Sequence, residues 1–154
     1  MELEFERDTL QGYDTVAELT LCQEETLESI VPDACPDILR IVDVCGQAML
    51  HSKQIKAGAV ELGGMVRAVI LYEPDGGVGL RRMEVGLPFR CQAEAPGLTE
   101  QGRALARPRL RCAEARALNS RKVLLRVDLA VDVTACQPTE QPLCRGVLDP
   151  EKSA

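Results

Sequence analysis

The sequence predicts an all-β protein, a mostly antiparallel sandwich or partly open barrel with at most a short helical turn. Three observations carry that expectation. Leu125, Val127, Leu129, Val131 and Val133 fall on every second position, with Arg126, Asp128, Ala130 and Asp132 between them. A period of two puts the branched side chains on one face of a pleated strand and the charges on the other, whereas helical spacing would mix Leu125 and Leu129 with Asp128 and Asp132. The same period runs through Val60, Leu62, Gly64, Val66, Ala68, Ile70 and Tyr72, and again through Met83, Val85, Leu87 and Phe89. Between those two runs stands Pro74-Asp75-Gly76-Gly77, where proline presets φ and glycine supplies positive φ for a turn. Residues 64–90 are therefore the clearest hairpin in the chain.

The remaining elements follow in order. The opening segment alternates weakly, with Leu3 and Phe5 between acids, as an edge strand would, and Val16–Thr26 reads as a second strand. In Ile30–Arg40, Pro32 and Pro36 forbid a central strand and bias the residues before them to extended conformations. A structured crossing loop is expected there, with one helical turn after Pro36. Alternation returns through Val42, Val44, Gly46, Ala48 and Leu50, and His51-Ser52-Lys53 reads as a turn. Gly63 and Gly64 inside the next strand mark a bulge or bend. Ala95–Pro108 reads as a loop, and strands at about 109–118 and 122–135 meet at Asn119-Ser120. The expected organisation is one β domain over 1–137 and a loosely ordered tail over 138–154, which contains Pro138, Pro142 and Pro150. A faint repeat sets Leu50–Ile55 beside Leu118–Val123. With three residues inserted in the first copy, Val60, Leu62, Val66 and Ala68 line up with Leu125, Val127, Val131 and Val133. Two similar hairpins suit a pseudo-symmetric sandwich, and two unrelated hairpins would align nearly as well.

At 154 residues the chain fits one domain with a real core. Aromatic residues make up only 3%, so the core must be Val, Leu, Ile and Ala; carbohydrate and single-stranded nucleic-acid platforms, which stack on rings, are disfavoured. A net charge of −6 argues against binding phosphate backbones, and no nucleic-acid partner is expected. Basic residues are dense at Arg103, Arg107, Arg109, Arg111, Arg116, Arg121, Lys122 and Arg126. They read first as a solvated sheet face balanced by acids elsewhere, and second as a docking surface for an acidic partner. The N-terminus is acidic and lacks an apolar stretch of signal-peptide length, and no apolar run approaches the roughly 20 residues of a membrane span. A soluble, cytoplasmic protein without membrane insertion is expected. Seven cysteines, an odd number in such a chain, suggest free thiols.

Residues that carry chemistry are few. His51 is the sole histidine, so any Ser-His-Asp or Cys-His site must use it, yet its neighbours place it on an exposed turn. Asp33, Asp37 and Asp43 cluster in sequence, but no EF-hand spacing accompanies them, and turn and cap duty explains them. No Cys-x-x-Cys pair suggests zinc, and Gly76-Gly77-Val78-Gly79 is too short for a phosphate loop. No cofactor, metal or catalytic residue is expected, and the chain reads as non-enzymatic.

Seven segments occur in an order that carries a resemblance. They are Glu25-Thr26, Ile30–Asp33, Pro36–Asp43, Gly64-Met65-Val66, Ile70-Leu71-Tyr72, Leu87-Pro88-Phe89 and Asn119–Val123. Together, over about residues 12–136, they resemble the SPOCS domain, a module of spore-coat morphogenesis proteins in endospore-forming Firmicutes. The resemblance implies a non-enzymatic part in sporulation: help in assembling the coat on the forespore, from the mother-cell cytoplasm, through protein partners. Members of that family often carry a C-terminal LysM domain that engages the coat's basement-layer ATPase. This sequence has no LysM pattern, so that interaction does not carry over. The expected interaction surface is the Val31–Asp43 loop, with Pro32, Asp33, Pro36, Asp37, Arg40 and Asp43, because two prolines stiffen it and lower the ordering cost of binding. Three alternatives stand beside this reading. One is a cell-envelope carbohydrate or small-ligand binding domain. Another is a hydrolase using Asp33, Asp37 or Asp43. The third is a homo-oligomer in which the arginine-rich late strands of one copy meet the acidic N-terminal half of another.

Overall fold

Tyr72, Ile70, Ala68 and Val66 point into the same apolar layer, and their strand is the middle one of its sheet, as a run buried on one face and flanked on both edges must be. A computed structural model describes the backbone of residues 4–148 and the side chains of residues 12–140. The described residues form six strands: β1 (Glu4–Ile30), β2 (Ile38–Lys56), β3 (Ala59–Pro74), β4 (Arg81–Glu94), β5 (Arg103–Asn119) and β6 (Lys122–Leu148). They form two three-stranded antiparallel sheets, ordered β1-β6-β5 and β2-β3-β4, with no closed barrel and no helix among the described residues. β2 lies beside β5 and β1 beside β4, so the middle strands β6 and β3 back onto one another in a sandwich-like arrangement.

The inner faces supply a single core. β3 gives Val60, Leu62, Val66, Ala68, Ile70 and Tyr72; β4 gives Met83, Val85, Leu87 and Phe89. β6 adds Val123, Leu125, Val127, Leu129, Val131, Val133 and Ala135. β5 faces the core with the small residues Ala104, Ala106, Ala113 and Ala115, which lets it pass close to β2. Gly46 of β2 sits against Leu110 of β5 and the Arg67 carbonyl at a point where a Cβ would already crowd both. No polar or charged residue is buried among those described.

Several expectations from the sequence need correction. The opening edge strand and the Val16–Thr26 strand are one element, β1; Val16 is an extra residue between the pairs Thr15–Cys136 and Ala17–Ala135, and this bulge shifts the alternation by one. Leu3 lies outside the described residues. There is no helical turn after Pro36. The chain turns earlier, where the Cys35 N–H donates to the Pro32 carbonyl at 2.8 Å, and β2 begins at Ile38. His51-Ser52-Lys53 is not a turn but part of β2. The hairpin reverses at Ala57-Gly58, with Gly58 at φ 80°, and His51 is the unpaired residue of a bulge between Leu50–Gly64 and Ser52–Gly63. The glycine pair thus marks a bulge, but the extra residue stands on the partner strand. Gly64 has no room for a side chain, since a Cβ there would overlap the Met49 carbonyl and the Phe89 ring.

The 95–108 loop ends at Gly102, and Pro108 lies inside β5 opposite Val131. Proline is tolerated there because β5 is an edge strand, where its missing N–H interrupts no second ladder. β6 continues past Pro138 to Leu148, paired with β1; residues 149–154 of the expected tail lie outside the described residues. In the faint repeat, Leu50–Ile55 lies within β2 while Leu118–Val123 spans the β5–β6 turn, so these two segments are not equivalent. Counted from the two-residue turns at 57–58 and 120–121, Val60 corresponds to Val123 and Leu62 to Leu125, a two-residue shift that keeps the inward face.

Candidate functional site

The β5–β6 turn is so short that Arg121 emerges directly beneath the crossover loop from β1 to β2. Its carbonyl accepts from the Val31 N–H at 2.8 Å, and the neighbouring Ser120 carbonyl accepts from the Ile38 N–H at 2.9 Å, so both ends of the loop are sewn to the turn. The guanidinium fills the space between. Nη1 donates to the Cys35 carbonyl at 2.7 Å and to Asp37 Oδ1 at 3.1 Å, and Nη2 donates to the carbonyls of Val31 and Pro32, each at 3.0 Å. Asp33 Oδ1 lies 3.9 Å from Nη2. A planar fork of fixed donors is suited to this; backbone carbonyls that leave a ladder must find partners, and one arginine serves three of them. The Asn119 side-chain carbonyl accepts from the Arg121 N–H at 2.8 Å and fixes the turn from below.

The second support comes from β3. Tyr72 is fully buried, and its hydroxyl donates to the Pro36 carbonyl at 2.9 Å. Burial, and then the neighbouring Cys35 thiol, push the phenol above its usual pKa, so it remains a neutral donor. The Asp75 N–H donates to the Asp37 carbonyl at 2.9 Å and ties the β3–β4 loop into the same end of the sandwich.

Of the six expected surface residues, Pro32, Asp33, Pro36 and Asp37 come together around Arg121, with Pro32, Asp33 and Asp37 exposed. Arg40 and Asp43 stand apart on β2. Arg40 pairs with Glu73 at 3.1 Å, and Asp43 Oδ1 accepts from the Val44 N–H at 2.8 Å beside a bulge. The three aspartates therefore do not converge on one point. His51 is exposed on β2, and among the described residues no three His, Cys, Asp or Glu side chains gather as metal ligands would. Six described cysteines are free thiols. No helix among the described residues is long and apolar enough to cross a membrane.

Beside the loop lies an apolar rim. Leu39 and Leu80 flank a shallow hollow with Pro74 and Gly77, and Val78 at its lip is 90% exposed. Exposed carboxylates on a fixed loop thus stand next to exposed aliphatic side chains. Sequence reading missed Arg121 and Tyr72 as its supports. The signal was present, since both fall in the ordered segments quoted above, and the fold brings Ile30–Asp33, Pro36–Asp43, Ile70–Tyr72 and Asn119–Val123 to one end of the molecule. Compared with family models, curated proteins and solved structures, the chain matches none.

Proposed function

We propose that the protein is a non-enzymatic assembly module of the spore coat, made in the mother-cell cytoplasm and recruited to the forespore surface by protein partners. The observation that carries this reading is the gathering of four of the seven ordered segments around the crossover loop, which Arg121 holds as a fixed ledge with acids above and Leu39, Val78 and Leu80 beside it. A surface already held in its bound shape loses little entropy on docking, and exposed aliphatic anchors beside charges suit a protein partner better than lipid or nucleic acid. The acidic balance of the chain points the same way.

A fluorescent fusion in a sporulating endospore-former tests the reading. The wild-type fusion is expected to form a cap or ring on the forespore, and Asp33→Asn combined with Val78→Ser is expected to disperse it without moving the unfolding midpoint, since neither change touches the guanidinium's carbonyl contacts. Diffuse wild-type fluorescence throughout sporulation, or selective stabilisation by peptidoglycan fragments in a thermal shift, would overturn it.

A further inference from the structure

We infer that a second copy of this chain docks face to face on the outer surface of the β1-β6-β5 sheet, about a two-fold axis running along β6. On that surface β1 contributes Glu18, Glu24 and Glu28, and no lysine or arginine occurs between Gly12 and Ile30. β5, two strands away, contributes Arg107, Arg111 and Arg116, none of which has a carboxylate partner among the described residues. The central strand is largely neutralised within the chain: Asp132 takes Arg109 at 2.8 Å, Arg126 takes Glu24 at 2.9 Å, and Lys122 takes Glu28 at 2.9 Å. The face is therefore polarised across its strands, acidic at one edge and basic at the other.

That polarity selects the symmetry. Rotation about an axis parallel to β6 carries β1 of one copy over β5 of its partner, the acidic strand over the arginine-bearing one, twice. Rotation about an axis across the strands would lay acids on acids. The ladder also sets the levels. Glu28 pairs with Leu124 and Leu124 with Arg116, so under the first rotation Glu28 of each copy lies at the height of the other copy's Arg116. One step further, Ile30 and Asn119 both pair with Lys122, which brings Ile30, 73% exposed, over the Leu118 bulge, 40% exposed. An apolar contact thus closes the Ile30 end of each of the two charged stripes. Over residues 18–30 the face measures roughly 40 Å by 14 Å from strand rise and spacing, about 1,100 Å² for both copies, at the lower end of specific interfaces. An unrelated acidic partner would satisfy the arginines but meet like charge along β1, whereas a self-complementary face opposes unlike charges on both halves, as isologous contacts do. This surface adjoins the crossover loop at Ile30 but uses none of Pro32, Asp33, Pro36 and Asp37, and the inference does not rest on the spore-coat reading.

Light scattering tests it. The wild type is expected at twice the chain mass at low ionic strength and at the chain mass in about 1 M salt, where charge pairs are screened. Glu28→Arg alone and Arg116→Glu alone are each expected to be monomeric at low salt, because each opposes like charges twice. An equimolar mixture of the two variants is expected to recover the dimer mass, since each contact then opposes unlike charges; a misfolded variant could not recover. A monomeric wild type at low salt, a dimeric single variant, a mixture that stays monomeric, or a mass that grows beyond two copies would each overturn the proposal. Asp33→Asn with Val78→Ser is expected to leave the dimer intact, so failure of forespore recruitment and failure of self-association are told apart.

Discussion

Arg121 and Lys122 are neighbours of the same charge in one turn, yet their roles differ by geometry. Lys122 holds a single exposed carboxylate, Glu28, while Arg121 spans three carbonyls and Asp37. An ammonium has no planar fork, so Arg121→Lys is expected to lose most of these bonds and about 2 kcal/mol of stability, measured by urea unfolding. An unchanged midpoint would show that water replaces the guanidinium without loss. Asp132 gives a residue-scale expectation in pH. Bonds from Arg109 and from the Thr20 hydroxyl hold its carboxyl below the usual carboxylate range. A depressed folded pKa means the unfolded chain takes up the proton first as pH falls, so this contribution is full above about 3.9 and disappears as pH drops through the folded value. Asp132→Asn is therefore expected to be less stable than wild type at pH 7 and to converge with it in thermal melts toward pH 3; a constant gap across that range would refute the assignment.

Bulges decide how the strands are read and how they respond to deletion. His51 has no partner in the β2–β3 ladder, so removing it leaves Leu50 opposite Gly64 and Ser52 opposite Gly63, with every side chain on its own face. Removing Gln54, three residues on in regular pairing, carries Ile55 from the core side to the solvent side. Deletion of His51 is expected to lower the melting temperature clearly less than deletion of Gln54, and the reverse order in calorimetry would mean the bulge is required by the fold. The same devices explain which parts of the fold were legible. Residues 60–72, 83–89 and 125–133 keep an unbroken period of two because one face is buried throughout, and they read correctly. β1 loses the phase at Val16 and reads from the sequence as a broken strand; β2 loses it three times, at Leu39, Val42 and His51, so Val42 reads as in phase with Val44 and His51-Ser52-Lys53 reads as a turn. Pro108 was read as loop because the sequence does not tell that β5 is an edge. Of the candidate site, the loop was visible through its prolines, while Arg121 was not, because its acceptors lie 84 to 90 residues away and only the closed fold brings them to it.

At the scale of the whole molecule, the two sheets are built alike but closed differently. β2, β3 and β4 follow one another in sequence, whereas the other sheet joins the hairpin β5–β6 to β1 from the opposite end of the chain. Pairing Ile30 with Lys122 and Thr15 with Cys136 closes loops of roughly a hundred residues, an entropic debt that local hairpins do not carry. β1 is also bonded on one side only, and its inner face contributes half-buried Leu19, Leu21 and Leu27 rather than the fully buried residues of β6. Opening of β1 is thus the least costly way to expose part of the sandwich, and the six described free thiols place no covalent brace against it. Native-state hydrogen exchange should show this order: amides of Val66–Tyr72 in β3 and Leu125–Val133 in β6 exchange slowest, at the global unfolding limit. Amides of Leu19–Leu27 exchange earlier, as one cooperative group that covers only those bonded to β6. If the β1 amides were instead as protected as the central strands, the sheet would open only globally, and the proposed second copy lying across β1 and β5 would be the natural reason; measuring exchange at low and at high salt separates the two, because the brace from a docked partner disappears with the charges that hold it.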